Sequence, residues 1–411
     1  MTEKHIAVIG AGASGLACAI EAARTAKAEK RDIKITVFEH LHKPLKKLTV
    51  TGNGRCNLSN TDISAENYHG SRALINAVLN SGFTDDEAFF GSFGLFFSVE
   101  DGRIYPRSMQ ASSVRDALLS EAAALGIKII TETEISSIEP AKSGFIINGE
   151  HKAGCVVIAC GGKASPAQGS DGSIFPVCES LGHSFTKTAP ALTAFLSTEK
   201  CLKELKGARV QAELSLFDGS RFLGSNTGEI QFTESSISGI PAFMLSHKAA
   251  GKNNLSVSLD LCPDYTEGEL LSHLLKQKRL HPEYDAEAVL SGILPSKVCY
   301  TVIERSFKKK NAAMRSLGEA ELKKTASVLK KLTFSVSGTR GFPEAQIMLG
   351  GINTDEINTE TLMSKIHRGL FFCGEITDAA GDCGGYNLHY AWASGRLAAH
   401  SAVSYLTQTG K

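Results

Sequence analysis

Three glycines stand in the spacing G-x-G-x-x-G at Gly10-Ala11-Gly12-Ala13-Ser14-Gly15, and an acid, Glu39, follows 24 residues after the last of them. In that spacing the first glycine permits a tight turn and the second lets the backbone approach a pyrophosphate. The third admits close packing of a helix on a strand. The opening N–H groups of such a helix then face an anion. Glu39 can accept hydrogen bonds from both hydroxyls of an adenosine ribose and would repel a 2′-phosphate. The pattern is that of dinucleotide binding, with NADP disfavoured at this position.

Two further strings hold backbone-rich turns. Thr51-Gly52-Asn53-Gly54-Arg55-Cys56-Asn57 sets two glycines around an asparagine, which reads as a tight loop exposing several N–H groups. An ordinary surface loop beside the basic cluster His42 to Lys47 is the alternative. Gly384-Gly385-Tyr386-Asn387 opens a helix after a glycine turn, a place where an anion or a polar ring docks. A plain helix start is the alternative there.

Metal chemistry has no footing. The ten cysteines are scattered without a C-x-x-C pair, and the twelve histidines form no H-E-x-x-H. No metal is expected, and the thiols read as reduced. Lys and Arg number 44 against 43 acids, a net charge of +1, so no global basic field favours nucleic acid. Charged residues at 21% and hydrophobic ones at 42% exclude a disordered or coiled-coil chain. Residues 5–23 imitate a membrane span but are rich in Gly, Ala and Ser and contain Glu21. A cytoplasmic protein without membrane attachment is expected.

The elements that position these residues are legible in outline. His5–Ile9 is a short strand, a helix runs from about 14 to 29, and 33–38 is a second strand ending on Glu39, which gives the fingerprint its required context. Residues 111–125 form an amphipathic helix; strand-like runs follow at 127–132, 134–139 and 144–148. Cys155 to Cys160 is a buried strand running into Gly161-Gly162. A meander feeding a late apolar strand is the layout of two-dinucleotide-binding flavoproteins. Residues 208–232 alternate like antiparallel strands, and 266–332 are mainly helical, with Lys308-Lys309-Lys310 on a solvated face. Gly369 to Glu375 is a final apolar strand ending in Gly374-Glu375.

The motifs together resemble the HI0933-like (BaiN-type) family of FAD-dependent oxidoreductases, which includes aminoacetone oxidases and bile-acid-pathway reductases. The resemblance rests on IGAGASGLACA at 9–19, TVTGNGRCNLSN at 49–60, DGRIYPRS at 101–108 and the strings at 158–183, 228–242, 349–352 and 369–395. It implies an α/β fold: a Rossmann-like FAD domain of residues 1–190 and 342–411, interrupted by an insert at 191–341. The insert has a β part to about 265 and a helical part over 266–332. By the resemblance, FAD contacts fall on Gly10, Gly12, Ala13, Ser14, Gly15, Glu39, Thr51, Gly52, Asn53, Gly54, Arg55, Cys56 and Asn57. They continue on Ala159, Gly161, Gly162, Gly374, Glu375, Gly385, Tyr386, Asn387 and Leu388. The insert departs from the family's F-T-H-x-G-x-S-G-P-A: Glu234 replaces the histidine and Ser236 the first glycine. No role of that histidine carries over.

The function expected is hydride transfer between FAD and a small organic substrate. With one complete G-x-G-x-x-G there is no second site for a resident nicotinamide, so NADH or NADPH would visit transiently, or oxygen would reoxidise the flavin. Candidate proton donors are Tyr386, His389 and Arg55, with Tyr105 and Arg340 behind them; His389 also reads as a packing residue. The alternatives are a redox-sensing flavoprotein using Cys56 or Cys383 as thiolates, and a flavin-dependent RNA modifier, which would need a basic face. Oligomeric state is not in the sequence.

Overall fold

The computed structural model describes residues 4–309 and 311–408. Lys310 and the last three residues of the expected outer domain therefore lie outside the described residues.

Five parallel strands carry the dinucleotide unit: β1 (His5–Ile9), β2 (Lys34–Phe38), β3 (Lys128–Ile130), β4 (Cys155–Ile158) and β5 (Leu370–Phe372), in the order β5-β4-β1-β2-β3. β1 is central and buried at all five positions, as a strand covered on both faces must be. Register follows the alternation of side chains: Val8 sits opposite Val157, which sits opposite Phe371. Ile6, Val8, Val157 and Phe371 point into one core with helices α1 (Ala13–Ala28) and α2 (Tyr386–Gln408). Ala7, Ile9, Val156, Ile158, Leu370 and Phe372 point into another. That second core is closed by Phe145 and Ile147 of the antiparallel meander 138–153. The result is three layers, helices on sheet on meander.

By its internal contacts the chain divides into one unit of Met1–Ala189 with Phe342–Lys411 and another of Pro190–Gly341. The second unit has its own seven-stranded antiparallel sheet and its own apolar core. The long hairpin Arg209–Asp218 and Arg221–Phe232 turns at Gly219, whose φ is +60°. Helices Glu267–Leu280, Ser296–Ser306 and Glu319–Lys330 bury Leu274, Val302 and Leu329 into that core.

Two boundaries differ from the sequence reading. The run 134–139 is not a strand over its length; pairing begins at Ile138. Asn148 explains this, because its side-chain oxygen accepts from the N–H groups of Ser136 (2.9 Å) and Ser137 (3.2 Å). The β part of the insert also does not end near 265. Leu332–Val336 pairs with Leu255–Asp260, and Gly338–Thr339 returns to the sheet after the helices.

Candidate dinucleotide site

The glycine turn is built by close backbone approach. Gly10 has φ +102°, and a Cβ there would lie 2.6 Å from the Ala159 carbonyl oxygen. A Cβ on Gly15 would collide with the Gly10 carbonyl, so α1 can start this tightly against β1 only with glycine. Gly12 is different: nothing lies within 4 Å of where its Cβ would be. It caps α1 in extended conformation without a side-chain cap, and the first turn carries no acid. Room beside Gly12, free N–H groups and the positive helix end at Ala13 and Ser14 fit a pyrophosphate.

Glu39 is 7% exposed, and both of its oxygens hold backbone. The Ala11 N–H donates to Oε2 and the Leu41 N–H to Oε1, each at 2.9 Å. The carboxylate therefore ties the glycine turn to the segment leaving β2 and keeps further lone pairs for a ribose.

Four other segments converge on this turn. Ala159 follows β4 against Gly10, and Gly161 (φ +74°) lies beside Ser170, whose hydroxyl is buried and has no protein partner. That orphaned hydroxyl is a further group a bound nucleotide would satisfy. Gly162 packs on Met348. Gly374, at φ +75°, lies directly over Ser14, so only a glycine lets the end of β5 reach the start of α1. Glu375 next to it takes Lys47 Nζ at 2.6 Å and the Met348 N–H at 2.9 Å, which closes the 43–48 segment over the same place.

The Thr51–Asn57 loop is a strained turn: Gly52, Asn53 and Cys56 have φ of +56°, +55° and +59°, and Gly54 has φ +82°. Thr51 caps it with its hydroxyl on the Leu48 carbonyl (2.7 Å), while Asn53 and Gly54 are exposed. Asn57 joins the loop to the start of α2. Oriented to satisfy both neighbours, its amide donates to the Ser59 carbonyl (3.0 Å) and accepts from the Gly385 N–H (3.0 Å). A Cβ on Gly385, at φ +101°, would meet that Ser59 carbonyl. Asn387 is spent internally: its side chain pairs with both backbone groups of Gly381 at 2.7 and 2.8 Å. Leu388 is half-buried beside it.

The candidate proton donors fall into separate places. Arg55 lies over the Tyr105 ring (4.6 Å to its centre) and pairs with Glu100 at 3.1 Å. Tyr386 is 9% exposed, and burial, with Asp62 and Asp382 nearby, raises its phenol above the ordinary value. Its phenol is protonated at neutral pH. Arg340 belongs to the second unit, where it donates to the Ser235 hydroxyl at 3.0 Å. His389 is buried on α2 with Nδ1 2.6 Å from Asp86 Oδ2 and 3.1 Å from the Ser59 hydroxyl. Asp86 and Ser59 are partners that sequence reasoning missed; Asp86 reads as one of several acids opening a short helix.

The thiols contradict the thiolate expectation. Burial pushes Cys56 up to about 12 and raises Cys383 as well, so both stay protonated at neutral pH. Glu234, in place of the family histidine, is exposed and paired with Lys206 at 3.0 Å.

A parallel sheet whose glycine turn, acid and second helix start converge in this way defines a class: a FAD-binding, Rossmann-type oxidoreductase. The chain belongs to the HI0933-like family, whose protein Rossmann domain matches residues 4–401. It is 35% identical to a 3-dehydro-bile acid delta(4,6)-reductase of Clostridium scindens, over 97% of this chain and 99% of that one. It is 26% identical to a ribosomal RNA dihydrouridine synthase of Haemophilus influenzae, over 94% of this chain and 95% of the relative. Among solved structures, a 3-ketosteroid delta1-dehydrogenase of Sterolibacterium denitrificans is similar with a TM-score of 0.49 and 12% identity, covering 97% of this chain and 99% of the other. Among the described residues no helix is long and apolar enough to cross a membrane, and no group of three His, Cys, Asp or Glu could hold a metal.

Proposed function

We propose that the protein is a FAD-dependent reductase that passes hydride from the flavin to a carbon–carbon double bond conjugated to a carbonyl in a small organic molecule. NADH or NADPH visits as the reductant. The observation that carries this reading is the convergence of two helix starts through backbone: the open Gly12 turn of α1, and the Gly385 turn of α2 held by Asn57. Bound FAD supplies the hydride chemistry. The start of α1 with Gly12, Ala13 and Ser14 holds the pyrophosphate, and Glu39 holds the ribose while fixing the turn. The Gly161–Gly162, Gly374–Glu375 and Thr51–Asn57 segments close around the dinucleotide. The positive end of α2 favours developing negative charge without a charged side chain. Arg55, steadied by Tyr105 and Glu100, adds a cation at the loop, and Tyr386 offers a protonated phenol to the carbon beside the one that takes hydride.

The substrate class draws on the relatives' names. Saturating a 3-oxo-delta(4,6) system and converting uridine to dihydrouridine both add two hydrogens across a double bond conjugated to a carbonyl. The second name is also the observation that favours another reading, an RNA substrate. A small molecule is preferred because the net charge of +1 offers no field for a polyanion, and Lys309 is already paired with Glu321 at 3.3 Å. The redox-sensor reading loses its support with the protonated Cys56 and Cys383.

The test is direct. Purified protein should release FAD on denaturation, bleach anaerobically with NADH or NADPH, and regain colour with soluble enones. Reoxidation by ribosomal RNA and not by enones would replace the substrate class; failure to bleach or to bind FAD would sink the reading.

A further inference from the structure

The strand Ser59–Asn60 lines a cavity of about 580 Å³ in the dinucleotide unit. His389 and Asp86 line it, 2% and 4% exposed. His389 Nδ1 lies within hydrogen-bond distance of both Asp86 Oδ2 and the Ser59 hydroxyl, and His389 Nε2 and Asp86 Oδ1 are buried without a protein partner. This is not a Ser-His-Asp nucleophile. Such a triad uses opposite ring nitrogens for serine and acid, whereas both contacts here fall on Nδ1. It is not a metal centre either, since no group of three ligating side chains exists among the described residues.

The charge of the cavity chooses its ligand. Asp85 and Glu87 also line it, both exposed, while no Lys or Arg does. Arg396 on α2 acts electrostatically on Asp86, but it is matched by Glu21 at 3.0 Å and otherwise donates to the carbonyls of Phe83 and Asp85. Asp86 Oδ1 is an unfilled acceptor on the lining, and His389 Nε2 is unpartnered as well. With three acids on the lining and no Lys or Arg, phosphates or carboxylates are repelled. An ammonium carries three donors and one positive charge. The acids stand at two levels, Asp86 inside and Glu87 outside, with Leu79 offering apolar wall for a methylene chain.

We propose that this cavity is a second ligand site, distinct from the dinucleotide site, that takes a short linear diammonium ion. One ammonium meets Asp86 Oδ1, and the other meets Glu87. Asn60 of the lining donates from its amide to the Gly384 carbonyl at 2.8 Å. The proposal stands whether or not the hydride-transfer reading does.

The experiment is isothermal titration of the FAD-loaded enzyme with 1,4-diaminobutane at neutral pH and moderate salt. Butylamine, choline and glutarate serve as comparison probes. One diaminobutane per chain is expected, butylamine about tenfold weaker, and no measurable heat from choline, which has no N–H donor, or from glutarate. Asp86→Asn should weaken diaminobutane by about tenfold or more. Glu87→Gln, at an exposed position where folding is not at stake, should weaken diaminobutane by about threefold and leave butylamine unchanged. Absence of diaminobutane binding at millimolar concentration would mean a water-filled cavity and overturn the proposal. So would choline binding as well as diaminobutane, or affinity indifferent to Glu87→Gln.

Discussion

Two buried carboxylates in the same unit are treated in opposite ways. Glu39 accepts one backbone N–H on each oxygen, from Ala11 and Leu41. Asp86 has one oxygen on His389 and the other on nothing, and burial raises its carboxyl above the ordinary value against the pull of His389. The difference teaches what each region is for. Backbone donors arrive with the fold, so a carboxylate satisfied by them is part of the scaffold that shapes a site. A carboxylate left half-satisfied in a polar cavity is held ready for something the chain itself does not contain.

That comparison can be broken most violently at the backbone. Gly385→Val places a side chain against the Ser59 carbonyl at a φ of +101°, and purified protein should lose at least about tenfold in FAD occupancy. Unchanged occupancy and reduction potential would make the turn structural only. Glu39→Ala comes next. It removes two charge-assisted acceptors from buried N–H groups, and should cost about 2–4 kcal/mol in denaturant melts as well as FAD retention. A variant that kept its stability and lost only FAD would mean that the acid serves the ribose alone.

Asp86→Asn should cost about 1 kcal/mol or less at neutral pH, because it removes a charge whose burial is only partly compensated. The sign with pH follows. Native Asp86 has a raised pKa, so the folded state binds more protons than the unfolded one from about 3.8 upward. Its contribution therefore declines as pH rises through that interval, and Asp86→Asn should flatten the decline. The smallest effect is at His183, whose pKa burial lowers despite Glu356 at 3.2 Å. The unfolded state then binds the extra proton, so stability is complete above about 6.5 and falls as pH drops below it. His183→Asn should remove that slope; a thermal melt series between pH 5 and 8 (roughly the range in which histidine titrates) would detect its persistence.

Much of the sheet was legible because the signals are local. Gly10, Gly12, Gly15 and Glu39 announce a strand, a tight turn and a second strand within forty residues, and four consecutive apolar positions, Ile6 to Ile9, announce burial on both faces. What sequence reasoning missed depends on distance along the chain. Asp86 and Ser59 meet His389 across separations of 303 and 330 residues, and no local pattern carries that information. The return of Leu332–Val336 to the insert's sheet was hidden for the same reason. The strand at 134–139 failed through chemistry: Asn148 competes for the backbone with its side chain.

The position of β5 has a consequence for the order of events on the ribosome. Strand β4 offers its outer edge to Leu370–Phe372, and α2, which covers the same core as α1, spans Tyr386–Gln408. When residue 189 has been made, the nascent first unit therefore has an unpaired apolar strand edge and an uncovered face. The next 152 residues, Pro190–Gly341, form a contiguous unit with their own core, and can finish folding while that edge still waits. Completion of the dinucleotide unit is thus delayed until the last stretch of chain emerges. Truncation even at residue 369 would leave an open sheet that is an invitation to self-association.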